Sequence, residues 1–132
     1  MIFTLNKTRL FFLFGIIIFS FCSDLFLTEI ELPKTDCIND DIVCTYSEHI
    51  KPILELNCAY SGCHNSNNPT AGLSLSTYEN IISSNIIQPG DTLNSILLDR
   101  IKNENIPMPP SGIMSQSYIN IIAKWIQDGA PE

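Results

Sequence analysis

Cys58-Ala-Tyr-Ser-Gly-Cys63-His64 is the stretch of this chain whose residue types and spacing converge on chemistry. Two thiols with four residues between them, and an imidazole directly after the second, can do three things. They can close a disulfide and leave His64 an ordinary loop residue. They can combine with Cys37 and Cys44 as ligands of zinc, although Cys37 and Cys44 lie further apart than the cysteines of zinc pairs usually do. They can also add across the two vinyl groups of a haem, with the imidazole reaching the iron from the same side. The common attachment spacing leaves two residues between the cysteines, whereas this chain has four. The longer loop can still close if its extra backbone bulges outward, and Gly62 supplies a residue that tolerates positive φ.

The segments around this stretch read as short helices. Ser47 can cap a helix that carries Ile50, Ile53 and Leu54 at helical spacing and runs into Cys58. Pro52 interrupts its first turn and moves the start toward Lys51. Ser76-Thr77-Tyr78-Glu79 resembles a capping box ahead of Ile81 and Ile82. Pro89-Gly90-Asp91 is a turn, and Ser95 to Lys102 shows a third helix, with Arg100 and Lys102 suitably near its negative end. Ile106-Pro107-Met108-Pro109-Pro110-Ser111-Gly112 cannot be helical, so Met108 is displayed on a stiff loop. A last helix spans about 115 to 128, with Ile119, Ile122, Ala123 and Ile126 on one face, and stops at Gly129. No convincing strand, internal repeat or low-complexity block is visible, and the fold class expected is all-α.

The N-terminus has a signal-peptide layout: Lys7 and Arg9, an apolar run from Leu10 to Phe21, then Cys22. That run is shorter than a spanning helix needs. Cys22 stands where a lipoprotein signal places its lipidated cysteine, but Phe21 is bulky where such signals prefer a small residue, so lipid tether and ordinary cleavage both stay open. An exported domain, periplasmic or associated with the cell envelope, is the expectation. Without Lys7 and Arg9 the remainder holds five basic against fourteen acidic residues. Such a surface repels nucleic acid and favours a basic partner or none that is charged. The five cysteines divide without remainder if Cys22 is processed, Cys37 pairs with Cys44 in an oxidising compartment, and Cys58 and Cys63 do chemistry. The stretch 23–45 is expected to reach as a linker rather than to pack.

Several spaced motifs agree in order: Ser47-Glu-His-Ile-Lys-Pro-Ile-Leu, Cys63-His64, Leu73-Ser-Leu-Ser-Thr-Tyr, Gln88-Pro-Gly-Asp, Ser95-Ile-Leu, Met108-Pro-Pro and Trp125-Ile-Gln-Asp-Gly-Ala130. Over roughly 46 to 131 the chain resembles the small exported bacterial cytochrome c-like domains of the planctomycete type. Beside the signal peptide read at 1–22 and the linker with a disulfide loop read at 23–45, the resemblance implies at 46–132 a small helical domain packed around one covalent haem c. Carried over by position, Cys58 and Cys63 become the thioether cysteines, His64 the proximal iron ligand and Met108 the distal one. Met114, just before the last helix, falls where such domains hold a core residue.

The implied function is single-electron transfer with redox partner proteins of the cell envelope, with no catalysis of its own. No nucleophile with a neighbouring base and no phosphate-cradling loop points to an independent enzyme. The pocket would draw on Leu54, Leu73, Leu75, Leu97, Ile101, Ile122 and Ile126, with Trp125 a core aromatic that could also pack on the porphyrin. His49 reads as a solvated or partly packed helix residue rather than a ligand. The rival reading is a haem-free exported module, stapled by disulfides, that binds or anchors.

Overall fold

The computed structural model describes residues 32–39 and 42–132. The signal-like segment with Cys22, the linker up to Glu31, and Asp40 and Asp41 lie outside the described residues. Leu32–Glu132 form one unit. Its elements are a single 3-10 turn at Asp36–Ile38, a π-helical turn at Tyr46–Ile50 leading into α1 (Lys51–Asn57), a 3-10 turn at Thr70–Gly72, α2 (Tyr78–Ser83), α3 (Ile96–Lys102) and α4 (Gln116–Gln127). Among the described residues there is no strand, only an isolated antiparallel bridge between Gln88 and Asp91. The domain is all-α.

Local chemistry sets each helix start. Thr45, not Ser47, caps the first helical segment by accepting the Glu48 N–H at 3.4 Å. An α register here would drive the Pro52 ring into the carbonyl four residues back. The chain instead takes a wider turn, in which Ile50 N–H reaches Thr45 O at 3.3 Å, and the α-helix proper begins at Lys51 with Pro52 in its first turn. Thr77 caps α2 through the Asn80 N–H at 3.2 Å, one residue later than the Ser76 capping box requires. Ser115 caps α4 through the Tyr118 N–H at 3.3 Å.

The core joins the two ends of the unit. Ile50, Ile53 and Leu54 from the first helical segment are buried with Ile119, Ile122, Trp125 and Ile126 of α4. Tyr46 lies between aromatics, 5.6 Å from the Tyr78 ring and 6.3 Å from Trp125. Gly129, at φ +95°, turns the chain out of α4. The Pro131 carbonyl then accepts both the Tyr46 N–H at 3.0 Å and the Trp125 indole N–H at 2.7 Å, while the Tyr78 hydroxyl donates to the Ala130 carbonyl at 3.0 Å. Two helices far apart in sequence are thereby tied by one carbonyl.

The segment before Tyr46 packs where the sequence led us to expect a linker that only reaches. Cys37 and Cys44 form a disulfide with Cα atoms 5.2 Å apart, and both residues are wholly buried in the core. His49 is also buried, at 1% exposure, rather than solvated. Its Nδ1 accepts the Thr45 N–H at 3.2 Å and its Nε2 donates to Asp36 Oδ1 at 3.0 Å. Both ring nitrogens are therefore used in joining the disulfide segment to the first helix. The His49 contact holds the Asp36 carboxyl below its usual range, chiefly through that hydrogen bond.

Candidate cofactor site

A largely apolar cavity of about 440 Å³ opens beyond the C-terminal end of α1, and Asn57, Cys58, Cys63, His64 and Met108 all line it. The volume is in the range of cofactor sites, roughly 300 to 1,000 Å³. Leu73, Leu75, Leu97 and Ile101 supply walls as the sequence suggested. Leu54, Ile122, Ile126 and Trp125 do not: they are buried in the helix core and are not among the lining residues.

The long cysteine loop is closed by its own backbone. His64 N–H donates to Cys58 O at 2.9 Å, which brings the imidazole residue back beside the first cysteine. Cys63 N–H reaches Tyr60 O at 3.0 Å, so the extra residues form a turn within the loop. Gly62 has φ +83°, and a Cβ there would meet nothing within 4 Å. Backbone conformation, not space, asks for glycine at this position. Thr70 fastens the return strand of the loop twice, by its N–H to Cys63 O at 2.9 Å and its hydroxyl to Gly62 O at 3.2 Å.

His64 is oriented by the segment that follows. Its Nδ1 lies 3.1 Å from Leu73 O, and Leu75 N–H returns to His64 O at 2.8 Å. A carbonyl only accepts, so Nδ1 carries the proton and Nε2 keeps a free lone pair. That is the state in which an imidazole binds a metal, with the hydrogen bond fixing both tautomer and ring orientation.

Cys58 and Cys63 are free thiols. Cys58 is 7% exposed, and its thiol is pushed up to about 11, first by burial and then by the neighbouring Cys63. The Tyr60 phenol is also raised, chiefly by its hydrogen bond to Cys63. The Cys37–Cys44 disulfide uses two of the donors a zinc site would need. Among the described residues no group of three or more His, Cys, Asp or Glu is arranged to hold a metal ion. Two free thiols, an imidazole with a free lone pair and a thioether around an apolar cavity do fit a covalently attached haem.

The two methionines of this region part company. Met108 is 39% exposed and lines the cavity with Pro109 and Pro110, and its N–H donates to Arg100 O at 3.2 Å. Met114 is 6% exposed and belongs to the core. The cavity also takes in residues the sequence did not mark as site residues, among them Ile86, Ile96 and Arg100. Arg100 reads in the sequence as a basic residue complementing the end of α3. The signal that could have found it is periodicity, because Ile96, Leu97, Arg100 and Ile101 share one helix face. Ser95 holds that helix in place: it is 1% exposed, accepts the Gln88 N–H at 2.8 Å and donates to Asp91 O at 2.7 Å.

The model of the planctomycete cytochrome C family matches residues 61–112. The match begins inside the cysteine loop, so it takes in Cys63, His64, the Arg100 helix and Met108, but not Cys58, α1 or α4. It is narrower than the resemblance drawn from spaced motifs over 46 to 131. No curated protein and no solved structure matches the chain.

Proposed function

We propose that this chain is a single-electron carrier of the cell envelope that holds one haem c, with Cys58 and Cys63 as its thioether anchors and His64 and Met108 as the axial pair. The observation that carries the reading is the convergence of all four side chains on one apolar cavity. The family similarity over 61–112 supports it at the level of haem-binding electron carriers. When bound, the haem supplies a one-electron iron couple.

The chain's own part is to bind, orient and keep dry. The Leu73 carbonyl holds the His64 ring with Nε2 free. Pro107, Pro109 and Pro110 stiffen the loop that presents the Met108 thioether. With His64 and Met108 both holding the iron, no place would be left open for oxygen or peroxide, which would separate a carrier from a catalyst. Leu73, Leu75, Leu97 and Ile101 exclude water and so favour the less charged ferrous state. Export through the segment 1–22, with or without a lipid tether at Cys22, would deliver the acidic domain to redox partners whose docking face is basic or uncharged.

The full chain, expressed in a host with haem-maturation machinery, should be red and should show haem staining that survives denaturing electrophoresis. A Cys58→Ala, Cys63→Ala double variant should lose that stain. A colourless wild type would return the chain to the class of haem-free, disulfide-stapled binding or anchoring modules. Full staining in the double variant would remove the thioether assignment.

A further inference from the structure

Among the residues lining the cavity there is no carboxylate, and Arg100 is the one permanent cation. The ion pairs among the described residues use His49, Lys51 and Lys124, and Arg100 takes part in none of them. Arg100 is exposed and lines the cavity together with Ile96 and Leu97, which share its face of α3. Its backbone carbonyl meanwhile accepts the Met108 N–H at 3.2 Å. One residue therefore lines the cavity and holds the Met108 loop with its main chain.

A haem carries two carboxylates on one edge. A carboxylate brought against apolar walls needs a charged or hydrogen-bonding partner, and a guanidinium is the side chain best shaped to supply one. We propose that Arg100 is a positioning residue whose guanidinium binds a haem carboxylate at the mouth of the cavity, setting the tilt of the group and raising the potential of the iron. This rests on the haem reading above. The ferric state bears one more positive charge than the ferrous, so a neighbouring cation disfavours it. The same cation keeps the carboxyl group ionised across the neutral range. Without it, the carboxylate stabilises ferric iron and takes up a proton more readily. Reduction then consumes one electron from the electrode and, in part, one proton from solvent at that carboxylate.

The test is a spectroelectrochemical titration of the haem-loaded full chain across roughly pH 5 to 8. Arg100→Gln should shift the ferric–ferrous equilibrium toward ferric by at least tenfold near neutrality, about 59 mV for a one-electron couple. It should also give the potential a dependence on pH that wild type lacks, rising as pH falls. Arg100→Lys keeps a cation and should recover most of the shift. Lys102→Gln removes a charge from the same helix outside the cavity lining and should behave as wild type. The near-infrared band of a sulfur-to-iron bond should persist in Arg100→Gln, because the carbonyl that holds Met108 is unchanged. The proposal is overturned if Arg100→Gln matches wild type in potential and pH profile, if Lys102→Gln shifts the potential equally, or if the band disappears with Arg100→Gln. A colourless wild type would instead defeat the haem reading itself, and a red wild type with an indifferent Arg100 would defeat only this inference.

Discussion

The Nδ1 atom of His64 lies 3.1 Å from the carbonyl oxygen of Leu73, nine residues further along the chain. This contact decides the chemistry of the ring, because it spends the proton-bearing nitrogen on the backbone and leaves Nε2 to a metal. His64→Gly should keep the cysteine loop and lose the low-spin spectrum of the haem-loaded protein. Added imidazole should restore the spectrum by entering the space the side chain left. Absorption spectra with and without imidazole check this, and a His64→Gly spectrum identical to wild type would take His64 out of the coordination sphere.

Met108 and Met114 should give opposite results. Met114→Ala empties a buried core position and should destabilise the fold by about 2 to 5 kcal/mol while keeping the near-infrared sulfur-to-iron band. Met108→Ala should remove the band and lower the potential with a smaller change in stability, since that side chain is 39% exposed. It should also admit carbon monoxide or cyanide more readily. Chemical denaturation measured beside the spectra separates the two. If wild type already binds those ligands fast and Met108→Ala leaves its spectrum unchanged, the site is open or differently ligated.

The haem-free protein should lose stability on the alkaline side. Folded Cys58 holds its proton up to about 11, whereas the unfolded thiol releases it near 9.0. Between those values the native state binds more protons than the unfolded one, so stability is full below about pH 9 and declines as pH rises toward 11. Tyr46, raised to about 12 mainly by burial, extends the decline upward from 10.0. A thioether does not titrate, so the lower part of this loss should vanish on haem attachment and in haem-free Cys58→Ala. Urea midpoints measured against pH provide the check.

Cys37→Ser with Cys44→Ser should cost roughly 2 to 3 kcal/mol, the amount expected for releasing so short a loop, with added loss from opening buried core. Non-reducing peptide mapping of wild type should recover the two cysteines joined. A thioether on either would undo the accounting of all five cysteines. The Asp36 carboxyl, depressed by His49, adds an acid limb of the opposite sign. Its contribution is present above the ordinary carboxylate range and is lost as pH falls below it.

What the sequence made legible was chemistry carried by neighbours in the chain. Cys58, Cys63 and His64 announce themselves by spacing, Met108 by its prolines, and the helices by period and caps. Helical period shows that a face is buried but not what it is buried against. Leu54, Ile122 and Ile126 therefore read as pocket candidates although they are buried in the helical core, Trp125 reads correctly as a core aromatic, and Arg100 reads as a helix-end charge although it lines the cavity. The packing of Cys37, Cys44 and His49 was illegible for another reason. It depends on contacts with α4 and on a hydrogen bond from His49 to Asp36, thirteen residues away, which leave no local pattern.

The carbonyl of Pro131, shared between the Tyr46 amide and the Trp125 indole, divides the domain into a frame and an insert. The frame is the first and last helical segments, and the cavity-forming residues, from Asn57 at the end of α1 to Pro110, run between them. Amide hydrogen exchange should report the two separately. The Tyr46 and Ala130 amides should be slow to exchange whether or not haem is present, while those of His64, Thr70, Leu75 and Met108 should slow markedly only once it is attached. If the haem reading holds, a maturation enzyme would thus act on a chain whose two ends are already joined before the cofactor arrives.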